Sequence, residues 1–516
     1  MKKLINFRLL FFAIALFLVK INLVSAAATP IIQIESGKIQ GTVEDGVECY
    51  KGIPYAAPPV GNLRWRPPVA PESWNGIKQV TEFANYAAQR GDLAEFATPG
   101  GSDDCLYLNV FVPQAAKVKN KKLPVFFWIH GGALLVGASN DYNPIPLAKT
   151  GESIVVTINF RLGALGFFAH PALDNEGHAA INYGLMDQIA ALDWVQKNIS
   201  QFGGDPNKVT IAGQSTGAQS VLALVTSPKA AGKFQAAVSM SGCTTLTESF
   251  SKESAEKLGV QLAEKAGLKN ATAAQLRNLS FEEILKVQVQ PKFAVDGEYL
   301  PESPADALLK GHVNNVILVN GTTSNEGAFV ISVTESLTGK TFSEKQYEGF
   351  AKNLQPLLNI DSEKILAEYP LKNFENAGAA TVAIVTDGLF ALNEERLNRA
   401  LEGKIPVYAY EFADVTAPPY LKADFNQGAA HTYDIPYIFS GFHGRSQLST
   451  KLNSRQEKLS REMMIFWTHV LDLPKQKKWT PYNSKLQNYF IFKLGKSKME
   501  NGKFAKRHNL DFWENK

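Results

Sequence analysis

Short apolar runs recur along this chain at Val125–Ile129, Ile154–Ile158, Val209–Ala212, Ala236–Met240, Val316–Asn320 and Val407–Phe412, with helical patterns between them. Each run is predominantly apolar instead of apolar only at every second residue, which is what a strand buried on both faces requires. Between the second and third runs, Leu185, Ile189, Leu192, Val195 and Ile199 fall on one face of a helix. Strands that alternate with helices build a mostly parallel sheet covered on both faces, so an α/β fold is expected. Upstream, Ile31–Ile34 and Lys38–Val43 read as short strands ahead of a proline-rich passage. Two longer helical stretches, 251–287 and 342–401, read as insertions able to wall a pocket.

The N-terminus has a separate purpose. Lys2, Lys3 and Arg8 precede an apolar run from Leu9 to Val19 and the small residues Val24-Ser25-Ala26-Ala27, the pattern of a secretory signal peptide cleaved after Ala26. The run is too short to span a bilayer, and Lys20 interrupts it, so no stable membrane anchor is expected. Cleavage removes four basic residues and no acids, leaving 49 of the 53 lysines and arginines against 49 acidic residues. A neutral mature chain gives no reason to expect nucleic acid or an anionic surface as partner. Residues 27–516 show no long linker, charge block or repeat, and read as one large domain. Only Cys49, Cys105 and Cys243 are present, so at most one disulfide can form, and three unpaired thiols packed as small hydrophobes is the simplest expectation.

The chemistry is sought at strand ends, where open α/β sheets place their sites. Gly213-Gln214-Ser215-Thr216-Gly217 joins an apolar run to an Ala/Val/Leu helix. A serine on such a turn exposes its oxygen, and flanking glycines let neighbouring backbone pass closely: this is the form of a nucleophile elbow. The order serine, acid, histidine leaves His312, His431, His443, His469 and His508 as bases. His431, in the small-residue loop Gly428-Ala429-Ala430-His431, is the leading candidate, with His443 in reserve. Glu326 emerges just past the run ending at Asn320 and is the leading acid, with Asp387 as runner-up in a helical pattern. His130-Gly131-Gly132-Ala133, after another apolar run, has the form of a loop whose backbone N–H groups converge on an oxyanion. There is no H-E-x-x-H, no Cys/His cluster and no phosphate loop, so neither a metal nor an organic cofactor is expected.

These segments, with Tyr50-Lys51-Gly52-Ile53-Pro54-Tyr55-Ala56, Asp104-Cys105-Leu106-Tyr107-Leu108-Asn109-Val110, Asn159-Phe160-Arg161-Leu162-Gly163 and Phe202-Gly203-Gly204-Asp205-Pro206, resemble the type-B carboxylesterases, a family that also contains the cholinesterases. The resemblance implies an α/β-hydrolase fold with helical insertions walling the pocket. It implies Ser215 as nucleophile, Glu326 as acid and His431 as base, with the N–H groups of Gly132, Ala133 and Thr216 as the oxyanion hole. The implied reaction is hydrolysis of a small-molecule carboxylic ester by water through an acyl-enzyme; the signal segment, separately, leads us to expect export to the periplasm or the medium.

Four positions depart from the family pattern. Gln214 stands where glutamate usually precedes the serine, Ala133 replaces a third glycine, and Thr216 replaces an alanine. Cys105 has no partner between itself and Cys49 for the disulfide loop of many relatives, and the loop 87–103 lacks the tryptophan that would bind quaternary ammonium. Two rival functions follow from the same residues: a silent binding module, in which the serine or its partners are usually lost, and a lipase for longer-chain esters. The pocket walls are expected from 293–300 and 342–401, and the Ala133 methyl is expected to narrow the acyl side.

Overall fold

The computed structural model describes residues 27–91, 98–117, 121–178, 181–243, 251–439 and 451–514. The expected signal segment and the reserve base His443 lie outside the described residues.

Among the described residues the dominant element is an eleven-stranded sheet. Its strands, in chain order, are β1 Thr42–Glu44, β2 Val47–Pro54, β3 Tyr107–Pro113, β4 Leu123–Ile129, β5 Ile154–Ile158, β6 Gly204–Gln214, β7 Ala236–Met240, β8 Ile317–Thr323, β9 Val407–Phe412, β10 Asn488–Phe492 and β11 Lys498–Asn501. They lie in the order β1-β2-β3-β5-β4-β6-β7-β8-β9-β10-β11. From β5 through β10 every pairing is parallel, and antiparallel strands close both ends. All six apolar runs named from the sequence are strands of the parallel block. Ile154–Ile158 and Ala236–Met240 are buried at every residue, so their apolar runs serve two faces at once.

Helices follow the strands as the sequence pattern requires. The predicted amphipathic segment is α1 Tyr183–Asn198, and the segment after the elbow is α2 Thr216–Thr226. Residues 251–287 form Lys252–Lys265 (α3) and two shorter helices. After α4, Gly327–Thr338, residues 342–401 form α5 Glu344–Leu358, α6 Ala377–Val385 and α7 Leu392–Leu401, with a π-helical turn at Thr386–Ala391 between the last two. A separate three-stranded sheet contains Ile32–Ile34, Gly37–Gln40 and Ile77–Gln79. Cys49, Cys105 and Cys243 are buried and unpaired. No helix among the described residues is long and apolar enough to cross a membrane.

The parallel strands all point their carboxyl ends to one edge. Ile129, Gln214, Met240, Thr323 and Phe412 end β4, β6, β7, β8 and β9 there, and the loops that follow converge.

Candidate active site

Ser215 occupies the turn between β6 and α2 with φ 58° and ψ −128°, a conformation that costs a non-glycine residue on the order of 1–3 kcal/mol. The turn is held by the Ser215 N–H donating to Met240 O at 2.9 Å, and it has no space for larger neighbours. A Cβ at Gly213 would lie 2.4 Å from the Gly217 backbone, and one at Gly217 would lie 2.2 Å from Ile129 O. The two glycines of the elbow are therefore steric requirements.

The loop after β4 passes directly beneath this turn. A Cβ at Gly131 would lie 2.5 Å from Gln214 O, and Gly132 has φ +115°. Ala133 and Leu134 both hold positive φ, 59° and 57°. Thr216 stabilises that costly backbone: its Oγ1 accepts the Leu134 N–H at 3.2 Å, a bond that alanine could not make. Among the described residues, the amides of Gly132, Ala133 and Thr216 donate no hydrogen bond, and all three residues line the same cavity as Ser215. Three uncommitted donors at one surface are equipped to receive an anionic oxygen.

Glu326 is fully buried at the start of α4. Its Oε1 accepts from Ser241 Oγ at 2.5 Å, Thr322 Oγ1 at 2.5 Å and the Thr323 N–H at 2.7 Å, while Oε2 lies 2.5 Å from His431 Nδ1. Burial works against the charge, yet His431 and the Ser241 and Thr322 hydroxyls outweigh it and hold the carboxyl below its usual range. The histidine loop is fixed to the acid loop by a backbone bridge between Asn325 and Ala430. The other ring nitrogen, Nε2, lies 3.2 Å from Gln214 Nε2. Phe329 and Phe390 pack against the imidazole at centroid distances of 5.6 and 5.5 Å.

These groups surround a cavity of about 300 Å³. Phe329, Val330, Phe390 and Ile435 give it an apolar wall, while Asp141, Tyr142, Gln219 and Gln290 give it a polar one. Burial pushes the Asp141 carboxyl up to about 7 against the bond it accepts from the Ala138 N–H. The insertion 342–401 contributes Phe390 as expected, but 293–300 does not line the cavity. Phe293 packs edge-on against Phe167, and Asp296 folds its own segment by accepting N–H bonds from Glu298, Tyr299 and Leu300.

The other candidates lie elsewhere. His312 is exposed and bonds Glu302, and His469 caps the C-terminus of the helix Ser454–Thr468. Asp387 and His508 are joined to each other, Oδ1 to Nδ1 at 2.8 Å. Ser241, Thr322 and Phe329 were not legible as site residues, since nothing in their local sequence marks a contact made across the fold. Asp141 gave no such signal either.

The sheet order, the elbow and the convergence of loops at the carboxyl edge define an α/β-hydrolase. The chain belongs to the carboxylesterase family, whose profile matches residues 28–513. It is 34% identical over 457 residues to para-nitrobenzyl esterase of Bacillus subtilis (strain 168), covering 85% of this chain and 88% of that protein. It is also 34% identical over 453 residues to fumonisin B1 esterase of Sphingopyxis macrogoltabida, covering 84% and 80%. A solved thermophilic para-nitrobenzyl esterase superposes with a TM-score of 0.79 at 32% identity, covering 93% of this chain and 99% of that one. The protein is accordingly a carboxylic ester hydrolase.

Proposed function

We propose that this esterase acts through Ser215 as nucleophile, His431 as general base and acid, and Glu326 as the carboxylate that orients it. The observation that carries the reading is the buried Glu326–His431 pair, which leaves Nε2 turned toward the elbow that bears Ser215. With Nδ1–H donating to Glu326, Nε2 holds the lone pair that can take the Ser215 proton as Oγ attacks the ester carbon. The developing oxyanion is received by the amides of Gly132, Ala133 and Thr216, and His431 returns the proton to the leaving alcohol. Water then repeats the sequence on the acyl-enzyme and releases the acid. The substrate is a small soluble ester with an apolar part suited to the wall of Phe329, Phe390 and Ile435. Export through a signal peptide cleaved after Ala26, to the periplasm or the medium, completes the proposal. N-terminal sequencing of the protein from cell fractions tests it, and retention of residues 1–26 would contradict it.

The decisive experiment is turnover of a short-chain aryl ester by the purified protein and by Ser215→Ala. The reading predicts a fall of about 10⁴-fold or more in kcat for the variant, and undiminished turnover would exclude Ser215 as nucleophile.

A further inference from the structure

We infer that Gln214 is a positioning residue which occupies the working nitrogen of His431 in the resting enzyme and so sets the pH at which the base becomes available. The inference rests on the reading of His431 as general base. Glu326 Oε2 at 2.5 Å from Nδ1 keeps the imidazole proton on that side, so in the neutral ring Nε2 is an acceptor. The group 3.2 Å away is the Gln214 carboxamide, which must then present an N–H to it. Ser215 Oγ makes no hydrogen bond to His431 among the described residues, so the lone pair that should take the serine proton is already engaged.

Other groups around the ring do not replace this contact. Phe329 and Phe390 present ring surface. Asp434, three residues after His431, is fully buried, and neither carboxyl oxygen has a hydrogen-bond partner among the described residues. Burial, then the charge of Glu326, pushes that carboxyl up to about 7, which weakens it as a source of charge beside the histidine. Asp387, on the turn that carries Phe390, is bonded to His508 instead. Glu326 on Nδ1 and Gln214 on Nε2 are thus the polar side chains that hold the ring.

A donor on Nε2 stabilises the neutral ring and opposes its protonation. When the imidazolium forms, Nε2 becomes a donor itself, so the contact with the Gln214 N–H has to be broken before the ring can be protonated. Glutamate at this position could only accept, and would favour the protonated ring throughout.

The test is the acidic limb of the kcat/KM–pH profile for a soluble aryl ester, in wild type, Gln214→Met and Gln214→Glu. Methionine keeps the volume and removes the donor, so the limb should move to higher pH by about half to one unit. Glutamate should move it further, by about one to two units. A packing role alone would change the plateau and leave the limb in place, so a Gln214→Met limb within about 0.2 unit of wild type overturns the inference, given that the donor's share is expected to exceed it. If Gln214→Met does not fold, an unmoved limb in the isosteric Gln214→Glu does the same. His431→Gln separates the two levels: full activity there removes His431 as the base, whereas an inactive His431→Gln with an unmoved Gln214→Met limb removes only the part assigned to Gln214.

Discussion

Among the described residues, His431 and His508 are each buried against a carboxylate, and the two arrangements differ in one respect. His431 gives one nitrogen to Glu326 and turns the other toward a cavity. His508 gives Nδ1 to Asp387 at 2.8 Å and Nε2 to Glu411 at 2.7 Å. Burial alone would push the His508 imidazole down, but the two carboxylates outweigh it and raise it to about 9. Both nitrogens are then donors, and none is left to accept a proton. A histidine on a carboxylate is therefore not yet a base; it becomes one where its second nitrogen faces the reacting group. The second pair is a clamp. Asp387 lies on the π-helical turn that also carries Phe390 into the cavity wall, and Tyr369 and Trp513 extend the network through Tyr369 Oη to Asp387 Oδ2 at 2.9 Å and Trp513 Nε1 to Tyr369 Oη at 2.7 Å.

The sharpest way to separate the two pairs is to neutralise each acid. Glu326→Gln is expected to lower kcat by about 10³–10⁴-fold in a folded protein, because the ring loses the partner that fixes its tautomer. Asp387→Asn should change kcat less than about tenfold while lowering stability by about 3–5 kcal/mol, since it breaks a buried charged pair. Steady-state kinetics beside urea unfolding reads both, and a loss of turnover that is equal in the two variants would erase the distinction.

The pairs also part in pH. A folded-state value for His508 raised from 6.5 to about 9 contributes stability that is fully present below pH 6.5 and is lost as pH rises through about 9. The expected loss across that window is roughly 3 kcal/mol, and His508→Gln should remove this part of the slope. Urea unfolding at pH 6, 8 and 10 measures it. The sign is opposite for Glu326, whose lowered carboxyl stabilises the fold above its unfolded value and ceases to do so as the medium becomes acidic.

Smaller effects belong to the residues beside the elbow. Thr216→Ala removes the bond to Leu134 N–H and should cost roughly two- to tenfold in kcat, with Thr216→Ser restoring most of it. Ala133→Gly relieves a φ of 59° and removes a methyl from the cavity, so a panel of acyl lengths should show relative gains of a few-fold for bulky acyl groups.

The parallel block and the elbow were legible because they are local: a two-faced apolar run, a glycine on each side of Ser215, a helix of one face. The order of Ser215, Glu326 and His431 was legible because strand ends are. Contacts made across the chain were not. Ser241 and Thr322 are ordinary strand-end residues until folding brings them onto Glu326 Oε1. Asp387, the runner-up acid, and His508, one of the candidate bases, are 121 residues apart in sequence, and only the fold joins them. The sequence also marked Gln214 and Thr216 as departures without showing that one reaches the histidine and the other ties down the glycine loop.

The central claim, that one pair serves the nucleophile and the other clamps the fold, is tested most directly by trapping Ser215 with a p-nitrophenyl phosphonate and locating the adduct by mass spectrometry. One equivalent on the Ser215 peptide is predicted for wild type and for His508→Gln, and none for His431→Gln over the same time. Labelling of His431→Gln at the wild-type rate, or of a residue other than Ser215, would contradict it.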